Sequence, residues 1–258
     1  MILYQFGKKP QAITYNPGNT GIYVANTLSN TVSVINTLRN NNNVIATILV
    51  GNFPGNGSSG IASDLANGKI YVANTGSGIL SVIDSSTNSV VDNIKGFFSP
   101  SGIAYDSGNG HIYVTNKQAN TVSVLNTLRN NNKVIATIHV GKSPSAIAYD
   151  AANGHIYVAN SGSSDSRGTI SVIDDLTNKV ISTIGVGTGP NGVAYNPVSG
   201  KIYVANTLSN TISVIDGFTN KVIAAIPVGI NPYGVLYNPA NHYIYAANYG
   251  SNTISVIR

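Results

Sequence analysis

Ile156-Tyr157-Val158-Ala159-Asn160 is one of six near-identical segments in this 258-residue chain, centred on Tyr23, Tyr71, Tyr113, Tyr157, Tyr203 and Tyr245. The copies lie 48, 42, 44, 46 and 42 residues apart, and self-similarity at such a period marks an array of like supersecondary units. Around the fourth copy lie Ala146-Ile147-Ala148-Tyr149 before it, then Ser171-Val172-Ile173-Asp174 and Val180-Ile181-Ser182-Thr183-Ile184 after it. Such runs are short, rich in Val, Ile, Thr and Tyr, and bounded by Gly, Pro, Asn or Asp, which are strand signals with turn chemistry between them. No window carries a helical period.

Four strands per unit, here A to D, repeated at this spacing predict an all-β, six-bladed β-propeller whose sheets bury both faces against their neighbours. One domain over residues 1–258 is expected. The sixth unit has A near Val235, B near Ile244 and C near Val256, and no D. Tyr4-Gln5-Phe6-Gly7-Lys8-Lys9-Pro10 aligns with Ile138-His139-Val140-Gly141-Lys142-Ser143-Pro144 at the end of a D strand. The last blade is therefore expected to combine residues 233–258 with residues 2–6, which would pair its open edge.

The recurring Ile-Tyr-Val-Ala-Asn, with Tyr113-Val114-Thr115-Asn116, Ser-Val-Ile-Asp, Asn-Lys-Val-Ile and Pro-x-Gly-Ile-Ala-Tyr, resembles the YVTN repeat of archaeal and bacterial surface-layer propellers. It is more distantly similar to NHL-repeat propellers. The resemblance spans the whole chain and implies a cell-surface or extracellular setting, often as a module of a larger protein, with no shared active site.

Composition agrees with a surface module. Charged residues make up 9%, Glu and Cys are absent, and there are 35 asparagines. Lack of cysteine excludes disulfides and thiolate metal sites. The N-terminus lacks the basic and apolar regions of a signal peptide, so a mature or excised segment is expected, as a monomer or part of a larger protein. No apolar run approaches the ~20 residues of a membrane span.

Function is sought where the copies diverge. The D-to-A and B-to-C loops share one face, the top, which carries the largest insertions, Asn52 to Ser59 and Ser161 to Gly168. Lys8, Lys9, Lys95, Lys117, Lys142 and Arg167 lie on it against Asp165 alone. The top is thus a candidate surface for a protein or a polyanion such as acidic glycan or nucleic acid, although six cations also serve solubility alone. Phe97 and Phe98 in a top loop read as a core-facing staple or as an exposed apolar anchor.

Catalytic and metal motifs are missing: there is no phosphate loop, dinucleotide fingerprint, His-Glu-x-x-His or nucleophile elbow. Asp106 with His111 and Asp150 with His155 invite a catalytic reading, but blade 2 has Asp64 and Lys69 in those places, so a charge partner across a short hairpin accounts for all three. His139 and His242 have no acidic companion and read as surface residues. The six asparagines that close strand B, Asn26, Asn74, Asn116, Asn160, Asn206 and Asn248, read as turn-satisfying. Tyr15, Tyr105, Tyr149, Tyr195 and Tyr237 read as inter-blade packing, leaving blade 2 loosely packed at Ser63. No catalytic residue, cofactor or metal ligand is assigned. The expectation is a non-enzymatic binding module, with a polyanion binder and a lyase-like propeller enzyme as the alternatives.

Overall fold

A computed structural model describes residues 7–38, 43–51, 58–128, 132–162 and 167–258. They form an all-β, six-bladed β-propeller of antiparallel sheets. By their contacts the residues divide into two compact units, one of residues 1–119 and 123–135, the other of residues 120–122 and 136–258.

In the first unit, one sheet is β1 (Pro10–Asn16), β2 (Gly21–Asn26), β3 (Thr31–Asn36) and β4 (Asn43–Leu49). The second is β5 (Ser58–Asp64), β6 (Lys69–Asn74), β7 (Ile79–Asp84) and β8 (Ser89–Lys95). The third is β9 (Pro100–Asp106), β10 (His111–Asn116), β11 (Thr121–Asn126) and β12 (Lys133–His139), whose residues 120–122 and 136–139 count with the second unit. That unit continues with β13 (Pro144–Asp150), β14 (His155–Asn160), β15 (Arg167–Asp174) and β16 (Lys179–Thr188). It then has β17 (Pro190–Asn196), β18 (Lys201–Asn206), β19 (Thr211–Asp216) and β20 (Lys221–Pro227). The sixth sheet has three described strands, β21 (Pro232–Asn238), β22 (Tyr243–Asn248) and β23 (Thr253–Ile257). The strand expected over residues 2–6 and most of the Asn52 to Ser59 insertion lie outside the described residues, as does Asp165.

Strand B reads as an unbroken apolar run because it is covered on both faces. In the first unit Tyr23, Val32, Val34 and Ile48 of one sheet pack on Ile61, Ile70, Val72 and Ile83 of the next. Outer strand β4 instead alternates between exposed and covered positions.

The strand-B tyrosines do more than fill space. Tyr23 Oη donates to Asn88 Oδ1 at 3.0 Å, Tyr71 Oη to Asn132 Oδ1 at 2.8 Å and Tyr157 Oη to Asn220 Oδ1 at 3.0 Å, each in the C-to-D turn of the following blade. Four residues upstream, Asn19, Asn67 and Asn153 donate to a carbonyl of that same turn, from Ser85, Thr127 and Gly217. In these three blades the repeat therefore encodes a hook into the following blade. Two strand-A tyrosines stand beside a carboxylate of the preceding blade, Tyr105 beside Asp64 and Tyr195 beside Asp150.

Two expectations need correction. The asparagines closing strand B do not mainly serve the next turn; Asn26, Asn74, Asn116, Asn160, Asn206 and Asn248 donate from Nδ2 to a strand-C serine, each at 2.9 Å. Ser63 is not in an open joint: it is 8% exposed, and its Oγ and the Nδ2 of Asn16 are both buried without partners. Replacing Tyr by Ser and Asp by Asn at this joint removed both halves of the pair that those two joints keep.

Candidate functional site

Strands β13, β14 and β15 place Asp150, His155 and Asp174 side by side, because Asp150 pairs with His155 in one register and His155 with Asp174 in the other. The hairpin that delivers His155 is tight. Asn153 Oδ1 accepts the His155 N–H at 3.0 Å, and Gly154 has φ +71. A Cβ on Gly154 would also lie 2.8 Å from Asp175 Oδ1, so this position needs glycine for both its backbone and its neighbour.

The two carboxylates in register with His155 differ. Asp150 is 1% exposed; its Oδ1 accepts the Ala152 N–H at 2.9 Å, and Tyr195 stands beside it. Burial, with the Asp150 carboxylate adding to it, pushes the Tyr195 hydroxyl up to about 12. Asp174 lies at the rim. The Thr177 hydroxyl and N–H hold its carboxyl below the usual range, and the charge of His155 acts in the same direction. His155 has its Nδ1 buried without a partner. Tyr157 packs edge-on to the imidazole, with ring centroids 6.3 Å apart.

The same three-strand register in other blades carries different chemistry. In blade 2, Lys69 Nζ lies 2.6 Å from Asp84 Oδ2, the one ion pair among the described residues. The expected hairpin pairing of Lys69 with Asp64 is thus incorrect: Lys69 turns to strand C, while Asp64 is buried and its Oδ2 accepts Thr127 Oγ1 at 2.6 Å. In blade 3, His111 lies between Asp106 and Asn126, and burial lowers its pKa against the opposing pull of Asp106. In blade 5, Lys201 pairs with Asn196 and Asp216. Among the described residues, only blade 4 has a histidine in register with an acid on both neighbouring strands. No group of three or more His, Cys, Asp or Glu among the described residues is arranged to hold a metal ion.

Of the top-face candidates, Lys95 ends β8 and Arg167 begins β15, while Lys8, Lys9, Lys117 and Lys142 lie outside the strands. Lys8, Lys9, Lys95, Lys117, Lys142 and Arg167 are all exposed. The D-to-A and B-to-C loops are tied together by paired backbone bonds, as from Leu28 N to Lys8 O and from Thr27 N to Lys9 O. The same pattern sets Lys117 beside Phe98 and Ser99. The two phenylalanines part company: Phe97 is 5% exposed in the core, whereas Phe98 is 61% exposed. Phe98 therefore corrects the core-facing reading. Among the described residues, no helix is long and apolar enough to cross a membrane.

Sequence reasoning missed two groupings. The Asp174 side of His155 was overlooked because that pairing joins residues 19 positions apart on β14 and β15; the recurrent strand-C Asp was the available signal. His242, read as a surface residue with no acidic companion, has a tyrosine as its partner: its Nδ1 lies 2.7 Å from Tyr237 Oη.

A family model described as Arylesterase matches residues 76–179. The chain is also similar to a solved structure of hydrazine synthase from Kuenenia stuttgartiensis, with 16% identity and a TM-score of 0.70 over 100% of this chain and 97% of that one. At that identity the likeness establishes the fold alone. No curated protein matches the chain. The arylesterase match overturns the expectation of a non-enzymatic module, since it points to a hydrolase family.

Proposed function

We propose that this chain is a propeller hydrolase that cleaves esters of phenols, with His155 as general base. The observation that carries the reading is the arylesterase match over residues 76–179, a stretch that contains Asp150, His155, Asp174 and Asp175. In this reading the imidazole takes a proton as a bound water attacks the ester carbonyl. The sparse site suits the substrate class. A phenolate leaves without a proton donor because its conjugate acid has a pKa of about 10, whereas an alkoxide or amide anion needs one. His155 Nε2 takes the proton of the attacking water, and Asp174 at the rim stabilises the resulting imidazolium. The similarity of the repeats to surface-layer propellers supports a cell-surface or secreted setting for this activity.

The test is hydrolysis of p-nitrophenyl acetate against ethyl acetate by the purified chain. Turnover of the aryl ester alone is expected, with kcat/KM falling about 100-fold in His155→Asn. Turnover indistinguishable from buffer, or retained in full by that variant, would sink the reading.

A further inference from the structure

The geometry points to a second reactive centre, at the A-to-B hairpin of the sixth sheet: we propose that Tyr237 Oη is a nucleophile activated by His242 and acylated by aryl esters. Tyr237 ends β21 and His242 closes the turn before β22, and their Oη and Nδ1 atoms lie 2.7 Å apart with the rings stacked at 6.2 Å. With the ring proton on Nε2, Nδ1 accepts the tyrosine hydroxyl proton.

Two departures from the repeat produce this pair. First, the turn position held by His242 is Gly68, Gly110, Gly154 and Gly200 in blades 2 to 5, all with positive φ. His242 adopts φ +62 there, a conformation that costs a residue with a Cβ of order 1 kcal/mol and that clusters where side chains have a task. The strained backbone aims the imidazole back along the hairpin. Second, Tyr105 and Tyr195 stand beside Asp64 and Asp150 of the preceding blade, but the position preceding Tyr237 is Asn196 rather than an acid. The Tyr237 hydroxyl instead meets the His242 ring nitrogen at the surface. Arg258 adds a cation on the same sheet, with its guanidinium 5.4 Å from the Tyr243 ring centroid.

The step balances without a further reactant. Oη forms a bond to the acyl carbon, the bond from that carbon to the aryl oxygen breaks, and the proton passes from Oη to His242 Nδ1 and on to the departing phenolate. Tyrosine and a simple phenol share a pKa of about 10, so the exchange is close to isoenergetic for aryl esters and uphill for amides and alkyl esters. Substrate class follows from that match.

The test incubates the full chain with p-nitrophenyl acetate and locates acetyl groups by peptide mass mapping over time. Tyr237 is expected to be acetylated ahead of Tyr249, which is 80% exposed and has no such base. His242→Gly relieves the backbone strain, so it is expected to keep or raise the Tm while slowing Tyr237 acetylation about tenfold or more. Equal labelling of Tyr249 and Tyr237, or an unchanged rate in His242→Gly, overturns the proposal. Labelling is read in a His155→Asn background as well, where failure of the His155 turnover leaves Tyr237 acetylation intact, so the two readings fail separately.

Discussion

Tyr71 shows how one hydroxyl connects a repeat to its neighbour. It is fully buried, and burial pushes the phenol up to about 12, so it stays a neutral donor to Asn132 Oδ1. Tyr71→Phe is expected to cost about 1 kcal/mol in chemical denaturation, since it removes a buried donor and strands its acceptor. The equivalent Tyr245→Phe should cost far less, because that hydroxyl meets Asn241 in an exposed bond. Equal losses would show that the ring, and not the hook, sets the stability. Tyrosine as the repeated residue was plain in the sequence. Its partner was hidden, because Asn132 lies 61 residues away in a turn rich in asparagine.

At the scale of elements, the joint between the second and third sheets rests on a buried acid. Asp64 Oδ2 accepts the Thr127 hydroxyl, and Tyr105 stands beside the same carboxylate across the joint. Thr127→Val keeps the shape but leaves a buried oxygen short of a donor, and should destabilise by about 1–3 kcal/mol. Combined with Asp64→Asn the loss should be smaller than the sum, which a double-mutant cycle will read. Strand order, length and face were legible here, since β6 and β10 are unbroken apolar runs between turn residues. The choice of Asp84 over Asp64 by Lys69 was not: both acids are in register with Lys69, and only the direction in which Asp64 is buried separates them.

Over the whole molecule, nine carboxylates and a single ion pair among the described residues leave little for acid to disrupt. Asp84, Asp174 and Asp216 have lowered pKa values: through bonds to Lys69 and Ser86 in the first, and to Thr177 and Thr219 in the others. A depressed carboxyl stabilises the fold above its unfolded value near 4, and the benefit fades as pH falls through the lower folded value. His111 acts earlier. Its lowered pKa lets the unfolded chain take the proton first, so stability declines as pH drops below about 6.5. Thermal unfolding against pH should therefore show a shallow loss beginning below about pH 6.5 that His111→Asn removes, then a main acid midpoint below about pH 4. A midpoint at or above pH 4, or a shallow phase unchanged in His111→Asn, would contradict this account.

The sequence by itself determined the blade: its period, its four strands, the buried middle strand and the faces on which its loops fall. Each follows from local periodicity and turn chemistry, which a single chain displays without reference to distant residues. The tertiary structure decided which polar groups meet. The alignment of His155 with two acids, the hook of Tyr71 and the pairing of Tyr237 with His242 depend on register, burial and backbone direction. Repetition makes every copy look alike in sequence, and a one-residue difference such as His for Gly at position 242 acquires meaning only when its φ and its neighbour are seen.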